Sequence, residues 1–142
     1  MKYSSIELNF TQYTDATGNI HVDVEQISTG GLRKREERTL DGEYYEKDDQ
    51  MFGQIKSRNQ YIQLNELTDD YLKQGWDEDF LQDSKGEVIQ GYVESLDKTP
   101  NWTAEQIWGF GKIDGARMHV RRILVKKGTE EHRVRMIYDF KE

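Results

Sequence analysis

The sequence contains no cysteine and a single proline in 142 residues. The absence of cysteine excludes disulfides, thiolate metal sites and cysteine nucleophiles. No apolar run approaches the roughly 18 residues of a membrane helix, and the first residues lack the apolar core of a signal peptide. These absences predict a cytoplasmic protein that does not associate with a membrane.

Aromatic and charged residues are both abundant. The chain has 3 Trp, 8 Tyr and 5 Phe, and 33% of its residues are charged, with a net charge of -7. The aromatic content and the scarcity of proline favour an ordered fold over disorder. A length of 142 residues is close to the commonest domain size, so residues 1–142 are expected to form one domain.

The charge is unevenly distributed along the chain. Residues 41–97 hold 15 acids against 5 bases, whereas residues 112–135 hold 8 bases against 3 acids. The acidic total argues against a nucleic-acid partner, which requires a field that attracts phosphate. The basic stretch indicates either a solvated sheet face or a surface for an anionic partner. Its members include Arg117, Arg121, Arg122, Lys126, Lys127, Arg133 and Arg135.

Alternation of apolar and polar residues runs along most of the chain and predicts β-strands. Residues 6–11 and 20–25 alternate on either side of a turn sequence at 15–19, which predicts a hairpin. Its apolar face would hold Ile6, Leu8, Phe10, Val22 and Val24.

Short strands are expected through the rest of the chain, apart from two segments. Residues 32–38 indicate a loop or one helical turn. Residues 68–75 are the best helix candidate, because Thr68 could cap the helix and Gly75 could end it. The expected strands cover residues 39–46, 51–57, 60–67, 76–82, 87–96, 102–112, 116–127 and 131–140, with turns at 47–49, 58–59 and 83–86 and a proline-marked break at 99–101.

This pattern amounts to eight to ten antiparallel strands with at most one or two short helices. A sequential meander of this length has two main outcomes, a closed up-and-down barrel or a two-sheet sandwich. Closure removes unpaired sheet edges, and these strands lack the prolines that often protect such edges. The sequence therefore favours a single all-β barrel over a sandwich.

The phase of the last three strands depends on the lengths of two turns. If residues 113–115 and 128–130 form three-residue loops, the apolar side chains gather on one face. A two-residue loop at Asp114-Gly115 would instead group Trp108 and Phe110 with charged residues, because a one-residue slip reverses every side chain of a strand. The three-residue register is therefore favoured. Its inward face holds Trp102, Ala104, Trp108, Phe110, Met118, Val120, Leu124, Val134, Met136, Tyr138 and Phe140.

The same register carries Gln106 and Arg122 inward, directly opposite each other. A buried arginine is costly unless it is paired or solvated. An inward phase for residues 76–80 brings Glu78 into the same lumen, and Glu94 follows from the next strand. The interior is then either a pocket for one small molecule or a filled core with a structural ion pair.

Cofactor-free chemistry suits such a lumen. Burial raises the pKa of a carboxylic acid toward neutral pH, and an arginine can bind an enolate or carboxylate. The candidate catalytic residues are Glu78, Glu94 and Arg122. Aromatic walls could also fold a flexible polyene or polyketide into a reactive shape by proximity alone. The expected ligand-binding residues are Trp76, Phe80, Gln90, Tyr92, Gln106, Trp108, Phe110, Met118, Val120, Arg122, Met136 and Tyr138.

Sites for a metal or a nucleotide cofactor are not indicated. His21, His119 and His132 are far apart in sequence, and the acid clusters lack the spacing of a calcium loop. The segment Gly109-Phe110-Gly111 lies in a strand pattern with no following helix, so it is not a phosphate-binding loop. We therefore expect no metal and no cofactor.

The succession of short antiparallel hairpins, in which strand 102–112 runs into strands 118–125 and 134–140, resembles the lipocalin-like (calycin) class of small barrels. The first strand has Ile6-Glu7-Leu8 where true lipocalins carry a Gly-x-Trp motif, and the chain lacks their disulfides. This class includes extracellular carriers, intracellular fatty-acid binders and cofactor-free cyclases or isomerases of natural-product pathways. The resemblance implies a calyx that holds a small molecule, similar in outline to the last two groups.

Three functions follow from these patterns. The first is a carrier whose lumen binds a small, largely apolar ligand, such as a polyketide- or terpene-like molecule. The second is a cofactor-free isomerase or cyclase of a natural-product pathway that uses the same lumen. The third is a protein-interaction module that uses the basic outer face of the last two strands. A monomer or homodimer is expected in each case.

Overall fold

The computed structural model describes residues 6–28, 31, 33–50, 52–98 and 101–139. Within these residues the fold is all-β and antiparallel, as expected, with nine strands and two short helices. The strands are β1 (Ile6–Thr14), β2 (Ile20–Ser28), β3 (Arg33–Thr39), β4 (Tyr45–Asp49), β5 (Gly53–Gln63), β6 (Glu87–Ser95), β7 (Trp102–Ile113), β8 (Ala116–Lys127) and β9 (Glu130–Asp139). The helices are α1 (Asp70–Lys73) and α2 (Glu78–Asp83), preceded by a 3-10 turn at Leu64–Glu66.

The strands form two sheets, not the expected closed barrel. The small sheet has the order β1-β2-β3 and the large sheet the order β4-β5-β6-β7-β8-β9. The chain changes sheets just after β3: Leu40 N donates to Ile20 O at 2.7 Å, but Gly42 N donates to Asn59 O at 3.0 Å, on β5. β1 approaches β9 and β3 approaches β5, so the two sheets face a shared interior. Strand ladders in the described residues do not close around it.

The first hairpin forms as predicted. β1 pairs with β2 from Ile6↔Ser28 to Thr14↔Ile20. Asp15 holds the turn, because its Oδ1 accepts from the backbone of Thr17 at 2.9 Å and of Asn19 at 3.0 Å. Val22 and Val24 are buried on the face that meets the large sheet. Ile6 and Leu8, predicted on the same face, belong to β1, but their side chains lie outside the part of the chain that the structure describes.

The three-residue loops predicted near the C-terminus are wrong. Ile113 pairs with Ala116 and Lys127 with Glu130, so both turns have two residues. Asp114 and Gly115 both have positive φ, 52° and 81°, as a type I′ hairpin turn requires. This turn matches the twist of the paired strands. The three-residue loop was favoured because it gathers the apolar side chains on one face, but the geometry of the two-residue turn decides the register.

The change of register exchanges the two faces of the large sheet. We call the face toward β1–β3 the inner face and the face toward α1 and α2 the helical face. The inner face now holds Trp108, Phe110, His119, Arg121 and Tyr138. The helical face holds Ile107, Val120, Arg122, Leu124, Arg133 and Arg135. The predicted basic outer face is therefore not one surface, because Arg121 points inward.

The segment between β5 and β6 is helical and covers the large sheet. The predicted helix at 68–75 is present as α1, with Asp69 in place of Thr68 as the cap that accepts from Leu72 N at 3.2 Å. Residues 76–82 were predicted as a strand, but acids at Glu78 and Asp79 lie in the first turn of α2, where the helix dipole favours them. No helix in the described part of the chain is long and apolar enough to cross a membrane.

Three smaller predictions are also wrong. Residues 32–38 were expected to form a loop or one helical turn, but residues 33–39 form β3, because ion pairs such as Arg33–Glu25 (2.7 Å) and Arg35–Asp23 (3.0 Å) join its charged side chains to β2. The predicted turn at 47–49 lies inside β4. The predicted turn at 58–59 lies inside β5, which runs unbroken across it.

A hydrophobic core forms between the helical segment and the large sheet. Its buried members are Leu67, Leu72, Trp76, Val88, Ile107, Val120 and Leu124. The Trp76 indole also donates to Leu72 O at 2.9 Å, so this large side chain buries no unpaired polar group. The core fixes α1 and α2 against β7 and β8.

Gly109 lies beneath the helical segment, where an added Cβ would come within 2.7 Å of the Phe80 ring and 2.9 Å of the Trp76 ring. We expect Gly109→Ala to lower the free energy of unfolding by about 1–3 kcal/mol, because it overpacks this contact. Urea denaturation measures the loss. Adding Phe80→Ala should recover part of it, and strict additivity of the two substitutions would contradict the contact.

Candidate functional site

A cavity of about 400 Å³ lies between the two sheets beside α2. Pockets of this size hold one small organic molecule. We call it the aromatic cavity, because five of its lining side chains are Phe, Tyr or Trp and they come from four different elements. The cavity is lined by Phe10, Gln12, Val22, Tyr61, Phe80, Ser84, Glu87, Val88, Ile89, Trp108, Gly109, Phe110 and His119.

The cavity forms where β6 and β7 separate. Their ladder ends at the pair Ile89↔Trp108, whereas the flanking β5–β6 and β7–β8 ladders continue beyond this level. Beyond this pair, the edge of β7 that β6 leaves free is paired with the start of α2: Asp77 N donates to Phe110 O at 2.8 Å. The Phe80 ring thereby reaches the interior from the helical side and meets the Phe110 ring at 5.5 Å, edge to face.

His119 is the centre of an aromatic cluster on the inner face. Its ring centroid lies 5.0 Å from that of Phe10, 5.6 Å from Tyr138, and 5.9 Å from both Trp108 and Phe110. Three of these contacts are edge to face, an arrangement that aromatic pairs prefer. The cluster joins β1 of the small sheet to β7, β8 and β9 of the large one.

His119 is neutral at physiological pH. Burial, and secondly the cation of Arg121, lower its pKa from 6.5 to about 3, and a backbone hydrogen bond with Gly109 opposes this only in part. Its Nε2 accepts from Arg121 Nε at 3.2 Å, so the ring proton sits on Nδ1. His119 therefore cannot supply a proton near neutral pH, but it presents a fixed dipole at the cavity wall.

Two arginines lie over the Trp108 indole. The guanidinium carbon of Arg121 is 3.9 Å from the ring centroid and that of Arg38 is 4.7 Å from it. Both guanidinium groups approach a single carboxylate oxygen, Glu36 Oε2, at 3.6 Å and 3.5 Å. Arg38 Nη1 also donates to Asn59 Oδ1 at 2.7 Å. We call Arg38, Arg121, Glu36 and Trp108 the arginine cluster.

A second cavity, of about 730 Å³, lies on the other side of the arginine cluster. Trp108 borders only the aromatic cavity, whereas Arg38, Glu36 and Asn59 border only the second one. Its rim carries charges of both signs, and its floor is apolar. We call it the charged cavity. The floor residues include Ile55, Val93, Ala104 and Val125.

Four of the predicted ligand-binding residues lie at or beside the aromatic cavity. Phe80, Trp108 and Phe110 line it, and the Tyr138 ring contacts His119. Gln106 also lies on the inner face, where its Oε1 accepts from Trp108 Nε1. Gln106 does not face Arg122, as the sequence had predicted, because the two-residue turn pairs it with Ile123.

The three predicted catalytic residues do not converge on the cavity. Glu78 is exposed on α2, and Glu94 lies on the helical face with Lys56 Nζ at 3.7 Å. Arg122 is buried on the helical face, where its Nη1 donates to Tyr71 O at 3.2 Å. The shifted register of β8 and the helical state of residues 78–83 explain these positions.

The other predicted ligand-binding residues also lie away from the cavity. Trp76 and Val120 belong to the core under the helices, and Met118 packs against it. The remaining ones are Gln90 and Tyr92, on the helical face, and Met136, 37% exposed on β9. Among the described residues, no group of three or more His, Asp or Glu side chains could hold a metal ion.

Several residues of the site were missed. The Asp114-Gly115 dipeptide is the strongest short-range signal for a two-residue hairpin turn, and it would have placed His119 and Arg121 inside. Phe10 was expected on an apolar face, but not at a cavity. Tyr61 has no comparable signal, because only the pairing of β5 with β6 brings it to the inner face.

Comparison with known proteins identifies two relatives. The chain is 36% identical over 107 residues to pericyclase pydY from an Acremonium species, covering 74% of this chain and 54% of that protein. It is 33% identical over 128 residues to the probable pericyclase scpY from Mollisia scopiformis, covering 88% of this chain and 64% of that protein. The chain thus spans only part of the length of each relative. It matches no known protein-family profile and no solved structure.

The low pKa of His119 makes a prediction about stability. Between its folded pKa of about 3 and its unfolded value of 6.5, the unfolded chain binds the proton more readily. Lowering the pH through this window should reduce the free energy of unfolding by up to about 1.4 kcal/mol per pH unit. Urea unfolding at a series of pH values measures the slope.

The control for this prediction is a histidine that lies outside the interior. His119→Phe should flatten the dependence between pH 6.5 and the folded pKa, whereas His132→Phe, at an exposed position on β9, should preserve it. An unchanged slope in His119→Phe would show that another group carries the dependence.

Proposed function

We propose that this chain catalyses a pericyclic ring closure on a small, largely apolar molecule of a natural-product pathway. The observation that carries the proposal is an aromatic cavity of about 400 Å³ in a chain similar to two proteins named pericyclases. The similarity favours the cyclase expectation over the carrier expectation. The chain spans 54% and 64% of those relatives, so the activity is proposed for it and not transferred.

Holding the substrate in a folded shape is the main task of such a catalyst. In a pericyclic reaction, electrons move around a closed ring of atoms in one step, so no proton transfer or redox group is needed. The barrier is high largely because a flexible chain rarely brings its reacting ends together. Phe10, Phe80 and Trp108 supply rigid walls from three different elements, against which an apolar chain can fold.

Polar groups at the wall provide a second contribution. Tyr61 hydrogen-bonds Gln12, and burial raises the pKa of the Tyr61 phenol, which stays protonated. The Ser84 hydroxyl is buried without a hydrogen-bond partner at the same cavity. A hydroxyl or amide donor directed at a substrate carbonyl would stabilise the negative charge that grows on its oxygen in the transition state.

We also propose that the fold is an open relative of the lipocalin-like calyx. The approach of β1 to β9 and of β3 to β5 supports this relationship, because the nine strands surround one interior in sequential order.

The two alternative functions make different use of the fold. A carrier would use the same cavity without turnover. An interaction module would need the basic outer face that the register divides between two sides of the sheet.

The test uses a linear trienone in which a diene and an enone are joined by a saturated linker. The protein should accelerate ring closure and enrich one diastereomer over the mixture formed in buffer, as measured by chiral chromatography. Phe80→Ala should reduce the rate about fivefold, because one edge-to-face aromatic contact is worth about 1 kcal/mol and a tenfold change corresponds to about 1.4 kcal/mol. Tyr44→Ala, an exposed aromatic outside the cavity, is the matched control.

The alternatives give different outcomes. Loss of turnover in Glu78→Gln or Glu94→Gln, with Phe80→Ala unaffected, would favour acid–base catalysis by a carboxylate. Binding of the trienone with no change in rate or product ratio would favour the carrier. Either result overturns catalysis by the aromatic walls.

A further inference from the structure

The arginine cluster contains more positive charge than its protein partners neutralise. Glu36 is the one carboxylate within ion-pair distance of Arg38 and Arg121 among the described residues. Arg121 is 4% exposed, and the Arg38 side chain is 20% exposed. The interior of the fold therefore carries one uncompensated positive charge.

The hydrogen bonds of the two arginines are also incomplete. Arg121 Nη2 and Arg38 Nε are buried and have no hydrogen-bond partner. Burying a cation without full pairing costs several kcal/mol, and a structure built only for stability would use an apolar residue or a second carboxylate. The cluster is thus better suited to receive an anion than to close the core.

Neighbouring residues leave room for Arg38 at the charged cavity. A Cβ at position 91 would come within 3.3 Å of Arg38 Nη1, so Gly91 gives space for the guanidinium. Asn59 is buried and orients the same group by accepting from Nη1. Arg38 is thereby held at the inner end of the cavity, above the apolar floor formed by Val93 and Ala104.

We propose that the charged cavity is a second ligand site, which binds a small organic anion with an apolar body. Arg38 is the recognition residue: its guanidinium pairs with the anionic oxygens, and the apolar body of the ligand rests on the floor. Arg121 is a positioning residue that shares Glu36 with Arg38 and so leaves Arg38 incompletely neutralised. This site is separate from the aromatic cavity and does not depend on the proposed ring closure.

The test compares two fluorescent probes that differ in one anionic group, 8-anilinonaphthalene-1-sulfonate and the uncharged N-phenyl-1-naphthylamine. The wild-type chain should bind the sulfonate more tightly. Arg38→Gln should weaken sulfonate binding about tenfold, the usual effect of losing a charge-assisted hydrogen bond, and should change binding of the uncharged probe by less than about twofold. Arg33→Gln is the matched control, because Arg33 lies on the same strand but outside the cavity.

Two further measurements separate recognition from a structural role. Arg38→Gln should preserve or raise the melting temperature, because Glu36 then pairs with Arg121 alone. A large drop in melting temperature would indicate a structural arginine and overturn the proposal.

The apolar floor is tested with a second variant. Ala104→Phe fills the floor and should weaken binding of both probes. Equal affinity of the wild type for the two probes, or equal effects of Arg38→Gln and Arg33→Gln, would also overturn the proposal. None of these results depends on whether the trienone cyclises.

Discussion

The two-residue turn at Asp114-Gly115 sets the interior of the molecule. Both residues adopt positive φ, and this geometry joins β7 to β8 with the twist that paired strands require. Because side chains alternate along a strand, the turn assigns His119 and Arg121 to the space between the sheets and Val120 and Arg122 to the layer under the helices. The positions of His119 at the aromatic cavity and of Arg121 over Trp108 depend on that assignment.

The interior that results is aromatic and cationic at once. Trp108 lies between the two cavities. Its ring borders the aromatic cavity and also lies under the guanidinium groups of Arg38 and Arg121. Cation–π contact offsets part of the cost of burying the arginines. Burial, and secondly the charge of Arg121, lower the pKa of His119 and keep its ring neutral. Shape and electrostatics are therefore supplied by different residues of one cluster.

The separation of β6 from β7 is the second condition for the site. A continuous ladder would leave the helical segment outside the sheet, whereas the gap lets Phe80 extend from α2 into the interior. Gly109 permits this approach because it has no side chain beneath the ring. The helical segment thus has two tasks: it covers the core around Leu72 and Trp76, and it supplies one wall of the aromatic cavity.

The sequence by itself determined the all-β class, the first hairpin, the short helix at 70–73 and the approximate limits of the last three strands, because alternation and turn residues are local signals. It also indicated Phe80, Trp108 and Phe110 as wall residues. Only the tertiary structure decided the partners: which strands share a sheet, which side of β8 faces inward and how α2 meets β7. These depend on contacts between residues far apart in the chain, such as Glu36 with Arg121 and Phe10 with His119, whose energies no local pattern encodes.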